Sequence, residues 1–440
     1  MEHIFCDVLV VGSGAAGLRA AISAKQKDLD VCVISKQAPG KATCTMLSAG
    51  VFAGTEENKS SGHHLKSTLQ AGRGINQKEL VKVLTDEGPM RLQELKKWDI
   101  DAAFHHGYLY CKGRAPYRGR EIVKCLLTKN EVIGTRFISG HMVADLKQMD
   151  GIFGILAYSP RADKWLTIGA KTVILATGGA AALYLRHDNP KRMLGDGYVL
   201  AYRVGAVLQD LEFVQFYPLG LAEPGLPAFL VPPNIADYGQ LFNTRGEDIL
   251  NKYNIRERPA AEKARDPLSQ ALFTEIYKKD REVFLDLRKV SEHKWAENPF
   301  SASSHPILGE RYGANHRPVR VAPMAHHTMG GVCIDADGAT SLPGLFAAGE
   351  VTGGLHGANR MGGNALTETL VFGARAGEAA ANWAKDGARE PKTEIFKDAE
   401  VEKLAFVKEP DGSNPAELMA NLSEIVWKEA GIIRNQHGLE

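Results

Sequence analysis

The stretch that most limits how this chain can fold is CDVLVVGSGAAGLRAAISAKQKDLDVCVISK, residues 6–36. DVLVV and VCVI are continuous apolar runs too short for buried helices, and they flank a glycine turn and a helical segment. The spacing predicts strand, tight turn, helix and second parallel strand. Gly12, Gly14 and Gly17 supply GxGxxG in that context. Gly12 permits the turn, Gly14 lets backbone approach a pyrophosphate, and Gly17 lets helix and strand pack closely. The helix amino end, with Ser13, Ala15 and Ala16, then faces the phosphates. A Rossmann-like α/β domain that binds a dinucleotide is expected.

An acidic residue would ordinarily close the second strand and hold a ribose. Here Ser35 and Lys36 stand at that point, so the hydroxyl or another segment must serve. Farther along, KTVILATGGAAALY repeats the strand-then-glycine pattern at Thr177, Gly178 and Gly179 without a full fingerprint. One dinucleotide is expected, with no second nicotinamide domain.

SLPGLFAAGEVTGG, near residue 350, reads as another short strand entering a glycine turn, which makes the nucleotide domain discontinuous. Its segments are taken as 1–214 and 321–385. Residues 215–320 are richer in proline and charge, lack a βαβ rhythm and read as an inserted α+β domain able to close over a cofactor. GDGYVLAYRVGAVLQDLEFVQFYPLG, which contains Asp196, leads into it through a helix whose apolar positions are mostly core by their spacing. Residues 386–440 form a C-terminal, partly helical region that begins a helix and then stops, as though shortened.

Fifty-three basic against 52 acidic residues leave a net charge of +1, so no global field favours nucleic acid or an anionic membrane. The six cysteines include no CxxC pair. That argues against a zinc site, an iron–sulfur cluster or a disulfide framework, and for a reducing, cytoplasmic setting with no metal. No basic leader and no apolar run near 20 residues is present. In LHGANRMGGNAL, residues 355–366, one arginine sits in nearly bare backbone, where close approach of a flat or anionic partner is the reading.

Taken in order, VVGSGAAGL, ATGG, GDGYVLAYRVGA, HHTMGG and FAAGE…HGANRMGGNAL resemble the succinate dehydrogenase and fumarate reductase flavoprotein subunit family, which includes L-aspartate oxidase. The resemblance extends to about residue 385. It implies that the dinucleotide is FAD and that the insertion is a capping domain. It also implies that Arg360 grips a substrate carboxylate beside the flavin, while Glu350 and the turn at Asn364, Ala365 and Leu366 contact the cofactor. His326 aligns with the family's substrate histidine. The adjacent His327 competes for that role, since neighbours on an extended segment face opposite ways. Arg265, in ARDPLSQAL, aligns with the family's proton-carrying arginine, although a guanidinium is normally permanently protonated; a structural reading has it bridging Asp266 instead.

Two departures stand out. The histidine that links flavin covalently in the family falls at or near Cys44, so FAD is expected to be held non-covalently, with a thioether through Cys44 the alternative. At the far end of the substrate the family's histidine is replaced by Tyr217, counted here with the catalytic set. Val231, Pro232 and Ile235 replace a threonine, a glutamate and an arginine. A carboxylate against such a surface would lose solvation uncompensated, which disfavours a plain C4 dicarboxylate.

The resemblance implies hydride transfer between flavin N5 and a CH–CH bond of a carboxylate, with electrons exchanged with a separate iron–sulfur or other partner subunit. An L-aspartate oxidase-like enzyme acting at CH–NH and a non-catalytic flavin electron-transfer subunit are the alternatives.

Overall fold

The computed structural model describes residues 2–54, 61–113, 117–386, 412 and 414–440. Glu2–Val11 runs through the middle of its largest sheet, whose strand order is Arg136–Ser139, Val31–Ser35, Glu2–Val11, Lys164–Leu175, Ile152–Ser159 and Met142–Met149. The first four strands are parallel, and the last three form an antiparallel meander. Val8, Leu9 and Val10 are fully buried, as are Val31, Cys32 and Val33. Cover on both faces is why these segments read as unbroken apolar runs. Leu345–Ala347 pairs in parallel with Val173–Leu175, so chain from beyond residue 320 completes the sheet that residue 2 begins.

The helix Ala15–Lys25 starts at Gly14 and packs on the long helix Asn364–Asp386. The two backbones nearly touch. A Cβ at Gly373 would lie 2.7 Å from the Ala16 carbonyl oxygen, and one at Gly377 would lie 2.2 Å from that of Ala20. This contact carries the glycine-rich segment around Arg360, which leads into the long helix, toward the fingerprint turn.

A second, antiparallel sheet has the order Val214–Leu221, Val319–Thr328, Val283–Asp286, Gln240–Asn243. It packs with the helix Arg265–Phe273 around its own core, which includes Tyr217, Leu268, Leu285 and Trp295. The helix Asp196–Val204 leads toward this layer. Tyr198, Leu200 and Ala201 are buried, but Val199 and Tyr202 are exposed, so core packing holds for one face of that helix rather than for most of its apolar residues.

Of the C-terminal region read from 386, residues 387–411 and 413 lie outside the described residues. The helix Pro415–Glu429 seats Trp427 against Phe216 and Tyr277. Among the described residues, no helix is long and apolar enough to cross a membrane.

Candidate active site

A cavity of about 600 Å³ lies between the fingerprint turn and the inserted layer, lined from both sides. Gly12, Ser13, Gly14, Ala15 and Ala16 line one end with Ser35, Lys36, Thr177, Gly178 and Asp196. Gly12 has φ +116°, and a Cβ there would meet the Ala176 carbonyl oxygen at 2.2 Å. Only glycine fits such a turn without strain. Gly17 does not line the cavity. Its Cβ would sit 2.0 Å from the Gly12 carbonyl oxygen, so it acts in the helix–strand packing read from its spacing.

Neighbouring groups hold the turn. Gly40 N–H donates to the Ser13 hydroxyl at 3.0 Å, and Ala15 N–H to the Thr45 hydroxyl at 3.0 Å. The Thr177 hydroxyl is buried without a protein partner. The Ser35 hydroxyl donates to the Gln37 carbonyl at 2.8 Å, and Lys36 is ion-paired with Asp196. This end, with a helix amino terminus facing it and an unpartnered buried hydroxyl, fits a dinucleotide.

The opposite end holds two buried guanidinium groups. Arg360 is 7% exposed and donates from Nη2 to the Gln215 side-chain oxygen at 2.9 Å and from Nη1 to the Met361 carbonyl at 3.3 Å. Its Nε has no partner. Burial, followed by the nearby Arg265 charge, brings its pKa down to about 10. Arg265 is 8% exposed and has only long contacts, to the Ala261 carbonyl at 3.4 Å and the Arg360 carbonyl at 3.5 Å. Burial lowers its pKa as well. It does not bridge Asp266, which pairs with Arg73 at 2.6 Å and accepts from Asn359 at 2.8 Å. Among the described residues, neither arginine has a carboxylate within 4.0 Å.

Tyr217 lies beneath Arg265, with its ring 5.8 Å from the guanidinium carbon and 6.2 Å from the His326 ring. Its hydroxyl donates to the Val231 carbonyl, and burial raises its pKa. The phenol therefore offers the cavity a ring face rather than a free hydroxyl.

His326 and His327 both line the cavity but differ in surroundings. His326 is partly exposed and its Nδ1 meets Asp188 at 2.7 Å. His327 is buried, and burial followed by the Arg360 charge pushes its pKa well down. Its Nδ1 lies 3.5 Å from Glu350, and its Nε2 has no partner. With His356 and Glu368 it brings three possible ligand atoms within 4.8 Å of one another. His356 Nε2 is already matched to Glu368 at 2.9 Å. Glu350 also accepts from Thr328 N–H at 3.1 Å, and burial raises its pKa to about 7.

The resemblance implies that the turn at Asn364 contacts the cofactor; Asn364 itself does not line the cavity. It donates to the Thr68 hydroxyl at 2.9 Å and meets His64 at 2.7 Å, so the helix Ser61–Ala71 takes both ends of the amide. Ala365 and Leu366 do line the cavity, as does Glu350. Cys44 lines it too and donates to the Asn189 side-chain oxygen at 2.9 Å. Asp188, Asn189 and Gln215 are not evident from the sequence. The only local signals are the polar run RHDN after a glycine-rich turn and a glutamine two residues before Tyr217.

Known proteins match this architecture. The family model described as FAD binding domain matches residues 7–366. The chain is 35% identical to a chain of the CoM/CoB fumarate reductase of Methanothermobacter marburgensis, over 99% of this chain and 83% of that one. It is 32% identical to the L-aspartate oxidase of Saccharolobus solfataricus, over 98% and 87%. A solved E. coli quinol fumarate reductase chain superimposes with a TM-score of 0.86 at 29% identity, over 100% of this chain and 81% of that one.

Proposed function

The chain belongs to the succinate dehydrogenase and fumarate reductase flavoprotein family, which includes L-aspartate oxidase, and we propose that it exchanges a hydride with the CH–CH bond of a carboxylate substrate. It is an FAD-dependent oxidoreductase, and bound FAD supplies the two-electron chemistry at N5. One observation carries the reading of the substrate. Arg265 and Arg360 are both buried on the cavity with no carboxylate partner among the described residues. An uncompensated buried cation costs on the order of several kcal/mol, and an anionic ligand offsets that cost.

Arg360, gripped by Gln215, presents a planar fork to the carboxylate, orients the substrate and absorbs the charge that grows as the double bond polarises. His326 donates Nδ1–H to Asp188, and in its protonated form it donates Nε2–H to the same substrate carboxylate. Arg265 carries the proton to or from the neighbouring carbon. Burial lowers its proton affinity and narrows the mismatch that makes a guanidinium an awkward acid. Tyr217 supports it with its ring face. Glu350, Ala365 and Leu366 contact the cofactor, which the Cys44 thiol leaves non-covalently bound.

The related fumarate reductase chain is itself one subunit of its enzyme, and the chain described here has six unpaired cysteines without a cluster motif. Both observations support a separate electron-transfer protein as the source of electrons. The test is steady-state turnover with a reduced viologen as donor and unsaturated acids as acceptors, followed by identification of the saturated product. Formation of a saturated acid is expected. Peroxide release with aspartate, and no reduction of any acid, would point to the oxidase chemistry instead.

A further inference from the structure

The cavity is electrically lopsided. Of the residues that line it from the inserted layer, Arg265 is the one cation and Glu262 the one anion among the described residues. Arg265 and His326 flank the Tyr217 ring, and the Arg265 guanidinium reaches the backbone carbonyl of Arg360, whose own guanidinium lines the same cavity. The other cations on the wall belong to the dinucleotide end, where Lys36 is paired with Asp196 while Lys41 and Arg192 are exposed.

Beyond this gathering the wall turns apolar, with Leu230, Pro233, Pro259 and Phe300. Asn234, Asn298, Tyr108 and Tyr110 add neutral polar groups to the lining but no cation. The Tyr217 hydroxyl is held by the Val231 carbonyl, the Asn298 oxygen caps Phe300 N–H at 2.8 Å, and the Asn234 amide donates to the Ser301 hydroxyl at 3.2 Å. Glu262, one turn before Arg265 on the adjoining short helix, adds a negative charge to the same side.

A dicarboxylate set against the arginines would push its second carboxylate toward apolar atoms and Glu262, losing water and gaining no cation. A monocarboxylate with an apolar substituent loses nothing there and buries hydrocarbon. Resting on the carboxylate reading above, we propose that the substrate is a 2-enoate monocarboxylate, with its saturated counterpart as product. Its carboxylate lies at Arg360, Arg265 and His326, and an apolar C3 substituent lies against Tyr217, Leu230, Pro233 and Phe300. In its reduction the carbon–carbon π bond is lost, a hydride from the reduced flavin arrives at C3 and a proton at C2, and the flavin returns to its oxidised form. Attack at C3 delocalises charge onto the carboxylate, where the guanidinium groups can meet it.

The experiment has two readouts on the holoprotein. In the first, dithionite-reduced protein, freed of excess reductant, is mixed with crotonate, cinnamate or fumarate and the second-order rate of flavin reoxidation is measured. In the second, oxidised protein is titrated calorimetrically with butanoate, 3-phenylpropanoate and succinate. At least one enoate is expected to react about ten-fold or more faster than fumarate, and its saturated partner to bind about ten-fold or more tighter than succinate. Leu230→Lys, which adds a cation to the far wall, is expected to shift both ratios toward the dicarboxylate by about ten-fold; Phe300→Lys serves if that variant does not fold.

Preference for fumarate and succinate in the wild type overturns the monocarboxylate assignment and leaves the carboxylate reading intact. Silence toward every acid in both readouts overturns the two together. Unchanged ratios in a folded lysine variant overturn the assignment of the apolar wall to C3.

Discussion

Gln215 holds Arg360 by both ends: its side-chain oxygen accepts from the guanidinium at 2.9 Å, and its amide nitrogen donates to the Arg360 carbonyl at 2.9 Å. A neutral acceptor fixes the fork without neutralising it. Gln215→Glu would form an internal ion pair and remove the reason for the arginine to bind an external anion. The expected result is a loss of carboxylate affinity of about ten-fold or more with flavin content retained, read by titration of the flavin absorbance. Unchanged affinity would remove Arg360 from the binding role.

Gly17 faces the Gly12 carbonyl so closely that an added methyl group would sit 2.0 Å from its oxygen. Both partners are backbone, so neither can rotate away. Gly17→Ala should push the first helix off the fingerprint turn, destabilise the protein by about 2–4 kcal/mol and release flavin during purification. Chemical denaturation and the flavin-to-protein absorbance ratio measure the two effects.

Glu350 makes stability depend on pH in a defined direction. Its ordinary pKa is 4.5, and burial raises it to about 7. Between those values the folded chain keeps a proton that the unfolded chain has lost, so stability falls as pH rises. The penalty is absent below pH 4.5 and complete above 7, with an upper bound of about 3 kcal/mol. Glu350→Gln removes it. The apoprotein variant should melt several degrees above wild type at about pH 8 and nearly with it at about pH 5; parallel curves at both pH values would contradict this.

Cys44 is half-buried and donates to the Asn189 side-chain oxygen at 2.9 Å, and desolvation, with Glu350 and Asp188 nearby, raises its pKa well above the ordinary thiol value. The thiolate, the form that attacks carbon, is therefore suppressed. Acid precipitation of the holoprotein is expected to leave all yellow colour in the supernatant. Flavin retained on a peptide that contains Cys44 would reverse this.

What could be read from the sequence was local. Gly12 and Gly17 are recognisable because a turn and a close helix–strand contact fall within six residues, and Arg360 because glycines crowd around it. The parallel strands were legible because burial on both faces leaves unbroken apolar runs. Illegible were contacts assembled across the chain: Gln215 reaches Arg360 over 145 positions, and Asp188 reaches His326 over 138. Neither pair leaves a pattern in its own neighbourhood. The role given to the turn at Asn364 came from the resemblance, and that its side chain is held by a helix 300 positions upstream, at His64, was equally out of reach of any local pattern.

The central claim is that a buried guanidinium pair joins an unsaturated acid to the flavin. Its most direct test is stopped-flow absorbance of dithionite-reduced holoprotein mixed with the acceptor acids, wild type beside Arg265→Gln. The oxidised flavin band is predicted to return rapidly in the wild type and about a hundred-fold or more slowly in the variant, with carboxylate binding to the variant still measurable. A flavin that stays reduced with every acid, or that reoxidises equally fast in both proteins, would contradict the account.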